Sequence, residues 1–470
     1  MPNPSQEKVI TGVLEKGKVY KRKEDIPERL IKFTNIETIS SGRHGSQDII
    51  DNTPGLSSMA RGAVHSEFDA FSLFFTPSMF DDITTYTNER IEEALNVKPG
   101  LRQYPWSRTV NKAEVMALVG FMYLRGLKGQ ALERLERLYS QDDGFFMFTA
   151  IMSINRFKWL LQNLGYEPLS EKKKRAEKRC HDYFTAIREL FEKFQERFAV
   201  PLIPSRYLTI DECLYPMRHV VKFRVYNPDK PSKYGMLFKC VNSAEYPYTY
   251  QAHAYASTPL KTPTMHYVKG TQQYVMYLIG KIQEKGSEYS MAGCNISMDR
   301  LYTSVSLARW LLSLRITIVG TWMSNKKGYP KALKDTPEGE FFSSSLWYQI
   351  EDDEPTLPPS RQNQIRLAAY VIKKSTSSGK KKKHIVIMTT TKPLRGVTID
   401  DKKTKPAIFK TYDFSKGGTD IVDQRMGSKY STKAKTNKWT NVVFYYLLDC
   451  SRVNSQTVWS LAMDKNPREA

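Results

Sequence analysis

Two β-rich runs, far apart in the chain, each stop on an aspartate, and that pairing restricts the fold more than any other feature. Arg206-Tyr207-Leu208-Thr209-Ile210 alternates and closes on Asp211-Glu212, and Cys294-Asn295-Ile296-Ser297-Met298 closes on Asp299. A carboxylate at a strand end is held rigidly at the rim of a sheet, where α/β proteins place ligands. Met236 to Val241 and Tyr248 to Tyr255 add strand candidates rich in aromatic and β-branched residues. Thr271 to Glu284 and Ser304 to Leu314 carry helical periods, and Thr317 to Thr321 reads as another short strand. Strands followed by alternating helix and strand predict an α/β core.

A third acid enters from the far end of the chain. In Ser415-Lys416-Gly417-Gly418-Thr419-Asp420-Ile421-Val422-Asp423-Gln424, Asp420 and Asp423 stand three positions apart, on one face of a helix. The glycine pair ahead of them suits a turn or a close approach to a ligand. For any one of these acids a helix cap or loop carboxylate is the simpler reading. Together they outline another: if the strands of Asp211 and Asp299 are neighbours, their carboxylates converge, and Asp420 supplies a third. Three acids in one cleft repel one another unless divalent cations neutralise them. Two Mg²⁺ or Mn²⁺ ions about 3.5–4 Å apart are the usual solution, activating an attacking oxygen and stabilising the leaving oxygen of a phosphodiester.

The flanks fit an enzyme acting on a polyanion. Lys and Arg number 71 against 49 Asp and Glu, a net charge of +22 that predicts an acidic partner, most simply nucleic acid. Residues 65–165 carry helical apolar periods through Phe68, Phe71, Phe74, Phe75, Phe80, Ile83 and Ile91, then Val115 to Tyr123, then Phe157 to Leu164. Tyr183 to Phe198 and Lys438 to Met463 read as further helices. The lysine run Lys380 to Lys383 sits between two strand-like pieces, Leu367 to Ile372 and His384 to Thr389, as the tip of a basic hairpin. It reads equally as a phosphate contact, a nuclear import signal or a solvated loop. The five cysteines are scattered and never in CxxC spacing, so they are expected as reduced, mostly buried thiols, with no zinc module. No run of 18 apolar residues exists, so no membrane partner is expected.

Three ordered blocks resemble the piggyBac-type DDD transposases. The first is Leu208 to Glu212 with Phe223-Arg224-Val225-Tyr226-Asn227-Pro228-Asp229-Lys230-Pro231-Ser232-Lys233-Tyr234-Gly235. The second is Ser297 to Ser304 with Val319-Gly320-Thr321 and Ser324 to Pro330, and the third is Lys416 to Gln424 with Lys435 to Trp439 and Val453 to Ser455. Met152 to Phe157 and Thr87-Asn88 match the helical region upstream, so the likeness covers about residues 65–460. It implies an α/β fold with an RNase H-like catalytic core, interrupted by an insertion domain and preceded by a mostly helical N-terminal domain. The expected divisions are a disordered or loosely ordered tail over 1–65, a helical DNA-binding or dimerisation domain over 66–200, and the first part of the core over 201–323. An insertion domain over 324–412 and the last part of the core, with a C-terminal helix, over 413–470 complete them.

The resemblance also implies chemistry. Asp211, Asp299 and Asp420 would be catalytic residues and ligands of two Mg²⁺ or Mn²⁺ ions, with Asp423 a possible accessory. They would hydrolyse the transposon's 3′ ends, let the freed 3′-OH form hairpins, and transfer strands into TTAA targets in the nucleus, as a homodimer on double-stranded DNA. Lys230, Lys233, Lys326, Lys327, Lys433, Lys435 and Lys438 would ring the cleft and meet phosphates. Arg300 stands where many relatives have Asn, Thr419 replaces a common Val, Met323 stands where the best-known member often has Arg, and the residues up to Ala470 hold no cysteine-rich zinc-binding tail of the kind the resemblance leads one to expect. The alternative is therefore a domesticated, non-catalytic DNA- or chromatin-binding protein derived from a transposase.

Overall fold

Ordered structure begins earlier than the polar composition of the first 65 residues implies. The computed structural model describes residues 32–34, 49–140, 142, 144–177, 183–256, 270–323, 325, 341–347, 365–376, 379–391, 407–427 and 430–469. Strand β1 (Lys32–Thr34) already joins the main sheet. From residue 49 the chain is tied down: Asp51 pairs with Arg315 at 3.0 Å and Asn52 Nδ2 donates to the Ser287 carbonyl at 2.9 Å. These anchors are polar, so a reading of apolar periods passes over them. The rest of the expected tail, 1–31 and 35–48, lies outside the described residues.

After β2 (Gly55–Leu56) come α1 (Ser58–Ala63), α2 (Glu67–Ser72), α3 (Pro77–Val97), α4 (Lys112–Leu127), α5 (Leu135–Leu138), α6 (Phe146–Ile151), α7 (Ile154–Asn163), α8 (Leu169–Glu177) and α9 (Thr185–Phe198). Ser66, Asn111 and Ser153 start α2, α4 and α7, each side chain accepting an amide of the first turn. The phenylalanines go inward: Phe74, Phe75 and Phe80 are buried, and Phe75 stacks on Phe80 at 3.8 Å. Arg156 of α7 is buried and organises its surroundings. It grips Glu114 through Nε and Nη2 at 2.6 and 2.8 Å and donates to the carbonyls of Trp106, Arg108 and Thr109.

Short β3 (Leu202–Ile203) pairs with β2 and leads into the sheet. Its strands are β4 (Tyr207–Pro216), β5 (Val225–Tyr226), β6 (Tyr234–Ser243), β7 (Thr249–Ala254), β8 (Asn295–Met298), β9 (Thr317–Thr321), β10 (Phe341–Trp347), β11 (Arg366–Thr376) and β12 (Gly379–Thr389). β4, β6 and β7 form an antiparallel meander, and β8 and β9 join β4 in parallel through helices α10 (Gln272–Gln283) and α11 (Val305–Ser313). The order β7-β6-β4-β8-β9 is that of an RNase H-like core, as the resemblance implied.

One expectation needs correction. β4 does not stop at Asp211 but runs through it to Pro216, because both acids find places within the strand. Glu212 lies opposite Lys239 of β6, 3.7 Å from its Nζ, and accepts from the Tyr302 hydroxyl at 3.3 Å. The strands of 324–412 also extend the core sheet: β12 pairs antiparallel with β9, then β11, β10 and β1 follow. An open β9 edge would leave a row of backbone donors and acceptors unpaired, and β12 covers it. Alternate residues of β11 and β12 bury on opposite faces, Leu367, Ala369, Val386 and Met388 in the main core, Ala368 and Ile387 beside Val319, Phe409 and Tyr412. Lys380 to Lys383 belong to β12 itself, where register sets Lys382 opposite Lys373 and Lys381 opposite Lys374. The tip, residues 377 and 378, lies outside the described residues.

Three helices close the chain: α12 (Ala407–Lys416), α13 (Gly418–Met426) and α14 (Trp439–Ala462). α14 is buried on every side from Asn441 to Ser451, lying between α2 and α9 and the β4–β6 face of the sheet. Phe444 meets Phe75 and Tyr166, while Tyr446 stacks on Phe238 of β6 at 3.8 Å. A single apolar cluster therefore runs from the N-terminal helices through α14 into the sheet. Arg156→Met is expected to cost about 3 kcal/mol, since it strands the largely covered Glu114 carboxylate without its partner, and urea unfolding of the two proteins measures the difference.

Candidate active site

The site is built by strand register. Along β4, Thr209, Asp211, Cys213 and Tyr215 share the face that meets the C-terminal helices, because side chains alternate. β4 and β8 are parallel with Ile210 beside Met298, so the next step brings Asp211 beside Asp299 on that same face. β8 and β9 are parallel with Met298 beside Gly320, so Thr321 follows in the same row. Its hydroxyl donates to Asp299 Oδ1 at 3.1 Å. The amide of Arg300 donates to that oxygen at 2.6 Å, and the Asp299 carbonyl accepts from the amides of Tyr302 and Thr303. Gly320 has no side chain because a Cβ there would collide with the Thr303 hydroxyl.

Helix α13 delivers the other two acids. Its entry is packed tightly onto the sheet: a Cβ on Gly418 would lie 2.5 Å from the Ser243 carbonyl and 2.6 Å from Thr209 Cγ2. Gly417 is helical, at φ −74°, so the glycine pair joins two helices and serves close packing on the sheet. The Thr419 hydroxyl accepts from buried Asn242 at 2.9 Å, which gives the Thr at this position a role that Val cannot fill. Asp420 is exposed at the start of α13, and Asp423 lies one turn further in, over Cys213. α12 is stitched down by a hydrogen bond between the hydroxyls of Ser297 and Ser415, and Tyr412 brings its hydroxyl to 3.5 Å from Thr321.

Electrostatics bind these residues into one group. Burial pushes the Asp211 carboxyl up to about 6, while the Glu212 amide and the Lys230 ammonium pull it down and the charges of Asp299 and Asp420 add to the rise. Burial likewise pushes Asp423 up to about 6, opposed by Cys213 and Lys230 and reinforced by Asp420 and Asp211. Burial, with Asp299 and Asp211 adding, pushes the Tyr412 hydroxyl up to about 12. Oδ1 of Asp423 is buried with no hydrogen-bond partner. A carboxylate group that resists ionising, with one oxygen left unpaired, is chemically suited to a hard divalent cation. Among the described residues, however, no three such side chains converge closely enough to hold an ion in this arrangement.

The basic residues divide. Lys230 reaches back from the β5–β6 turn to donate to the Glu212 carbonyl at 3.2 Å and is felt by both Asp211 and Asp423. Lys233 and Lys435 are exposed nearby in sequence. Burial holds the Lys433 ammonium below its usual value. Lys438 turns away from the acids: its Nζ donates to the Gln162 carbonyl, and burial, with Arg90 and Lys172 adding, pushes it down to about 8. Lys326 and Lys327 lie outside the described residues. Thr321 and Tyr412 were not singled out from the sequence. Thr321 was traceable, since the same parallel alternation that aligns Asp211 with Asp299 extends to it.

The family described as Transposase IS4 matches residues 66–456. A cryo-EM structure of a piggyBac transposase synaptic complex with hairpin DNA is similar at a TM-score of 0.73, with 24% identity, over 88% of this chain and 78% of that one. At that identity the likeness speaks for the fold. The raised carboxyls carry a stability consequence with a definite sign. Asp423 binds its proton more readily folded than unfolded, so it contributes stability at low pH that is lost as pH rises from about 4 towards 6. Without divalent cations at pH 7, Asp423→Asn is expected to unfold about 1–2 kcal/mol later than the parent in urea, the gap closing below pH 4.

Proposed function

The chain belongs to the Transposase IS4 family, and on that premise we propose that it is a piggyBac-like transposase that cleaves DNA and transfers the freed ends at TTAA sites. The observation that carries this reading is the parallel pairing of β4 with β8, which sets Asp211 beside Asp299, with α13 bringing Asp420 to the same face. In it, Asp211, Asp299 and Asp420 would hold two Mg²⁺ or Mn²⁺ ions. Bound there, the cations would activate the attacking oxygen and neutralise charge on the leaving oxygen.

The protein's own contribution is positioning. Asp211 is fixed within a ten-residue strand, so it cannot swing out of the cleft. Asp299 is fixed by Thr321, by the Arg300 amide and by the turn that grips its carbonyl. Asp420 stands on the solvent side, where a phosphate backbone would approach, and Asp423 sits beneath it as an accessory carboxylate. Lys230, at the rim, holds positive charge close to a scissile phosphate. First a water and then a 3′-OH serve as nucleophile, so no covalent link to the protein forms, and hairpin ends arise when that 3′-OH attacks the opposite strand. A DNA substrate places the protein in the nucleus, and joining two ends calls for a homodimer.

The test is Mg²⁺-dependent nicking and strand transfer on a duplex carrying a TTAA junction. Asp299→Asn is expected to lower both by about a hundredfold or more while leaving DNA affinity in Ca²⁺ intact. Equal nicking by parent and variant removes the assignment. DNA binding with no cleavage by either, unaffected by Mg²⁺, would instead identify a domesticated binding protein.

A further inference from the structure

The β5–β6 hairpin carries two tyrosines that the acidic site does not use. Tyr226 and Tyr234 are directly opposite in register, with ring centroids 4.8 Å apart, yet they are 54% and 45% exposed. Large aromatic rings left half in solvent, one on the two-residue edge strand β5 and one at the start of β6, are poorly used as core. Arg224 lies over the Tyr234 ring at 4.7 Å and is braced by the Arg218 carbonyl. Between Arg218 and Gly235 the chain holds five Lys or Arg and one acid. Exposed π-faces ringed by cations are the recurring platform for unpaired bases, the rings stacking while the cations meet phosphates.

Place and chemistry agree. β6 begins opposite the end of β4, with Gly235 beside Pro216, so the tyrosines lie about 20 Å along β4 from Asp211. A few nucleotides of single strand span that distance. The turn joining the two tyrosines carries Lys230, whose Nζ reaches back to the Glu212 carbonyl and whose charge acts on Asp211. We propose that Tyr226, Tyr234 and Arg224 form a stacking platform that takes an unpaired nucleobase of the strand being processed, close to the acidic cleft. The proposal deepens the transposase reading and rests on it.

The experiment uses the full chain in Ca²⁺, with two DNAs of equal length: a plain duplex, and the same duplex with a short unpaired segment carrying a fluorescent adenine analogue. The parent is expected to prefer the unpaired DNA and to quench the analogue. The double variant Tyr226→Val, Tyr234→Val keeps a β-branched cross-strand pair and so preserves the hairpin. It is expected to bind unpaired DNA about tenfold more weakly, lose the quenching, and bind the duplex within about twofold of the parent. Phe at both positions is expected to restore quenching and affinity. Equal losses on both DNAs, or unchanged quenching, would overturn the platform while leaving the transposase reading intact. A parent that binds neither DNA would overturn both.

Discussion

The molecule depends on burying α14 on all its faces. A helix buried on every side from Asn441 to Ser451 has to be enclosed, and here α2 and α9 close one flank while β4 and β6 close the other. Several of its polar residues work as clamps, with partners inside the core. Asn454 exchanges hydrogen bonds with the backbone of Thr249 at the start of β7, and Thr457 donates to the Pro247 carbonyl. Asp449 accepts from the Tyr215 hydroxyl of β4, from Ser431 and from both the amide and the hydroxyl of Thr432. That carboxylate thus joins β4, α14 and the segment that follows α13. The position of Asp420 and Asp423 over the sheet is inherited from this arrangement.

The acidic face is an unfavourable thing to build, and the protein spends rigidity on it. Four carboxylates from three separate segments stand near one another, two of them pushed towards neutrality by burial. Left to themselves they would rotate apart. Strand backbone holds Asp211, a turn and a threonine hydroxyl hold Asp299, and the absent side chain of Gly418 lets α13 settle on Ser243.

Much of this was legible in the order of residues. The α/β alternation, the strand ending at Asp299 and the helix from Trp439 follow from periods of two and of 3.6, which local sequence records directly. Asp211 and Asp420 stood out as acids bordering apolar runs. What escaped was set by distant partners. The course of β4 through Asp211 and Glu212 depends on Lys239 and Tyr302. The pairing of β12 with β9 depends on β9 needing a neighbour, and a period of two does not say which sheet a strand joins. Hydroxyls such as Thr321 and Tyr412 carry no charge pattern to mark them. The ties of Asp51 and Asn52 involve residues more than 200 positions away.

The segment order of the acidic face has a consequence for biosynthesis. β4 leaves the ribosome with Asp211 on a bare flank, since Thr209, Cys213 and Tyr215 have nothing to lie against until α13 and α14 arrive more than 200 residues later. Asp299 meets Asp211 as soon as β8 adds to the sheet, but that pair still lacks the lid of α12 and α13. A nascent chain is thus without its complete carboxylate cluster for most of its translation. The last two helices fill the core and complete the cluster together, so a chain released before them lacks both.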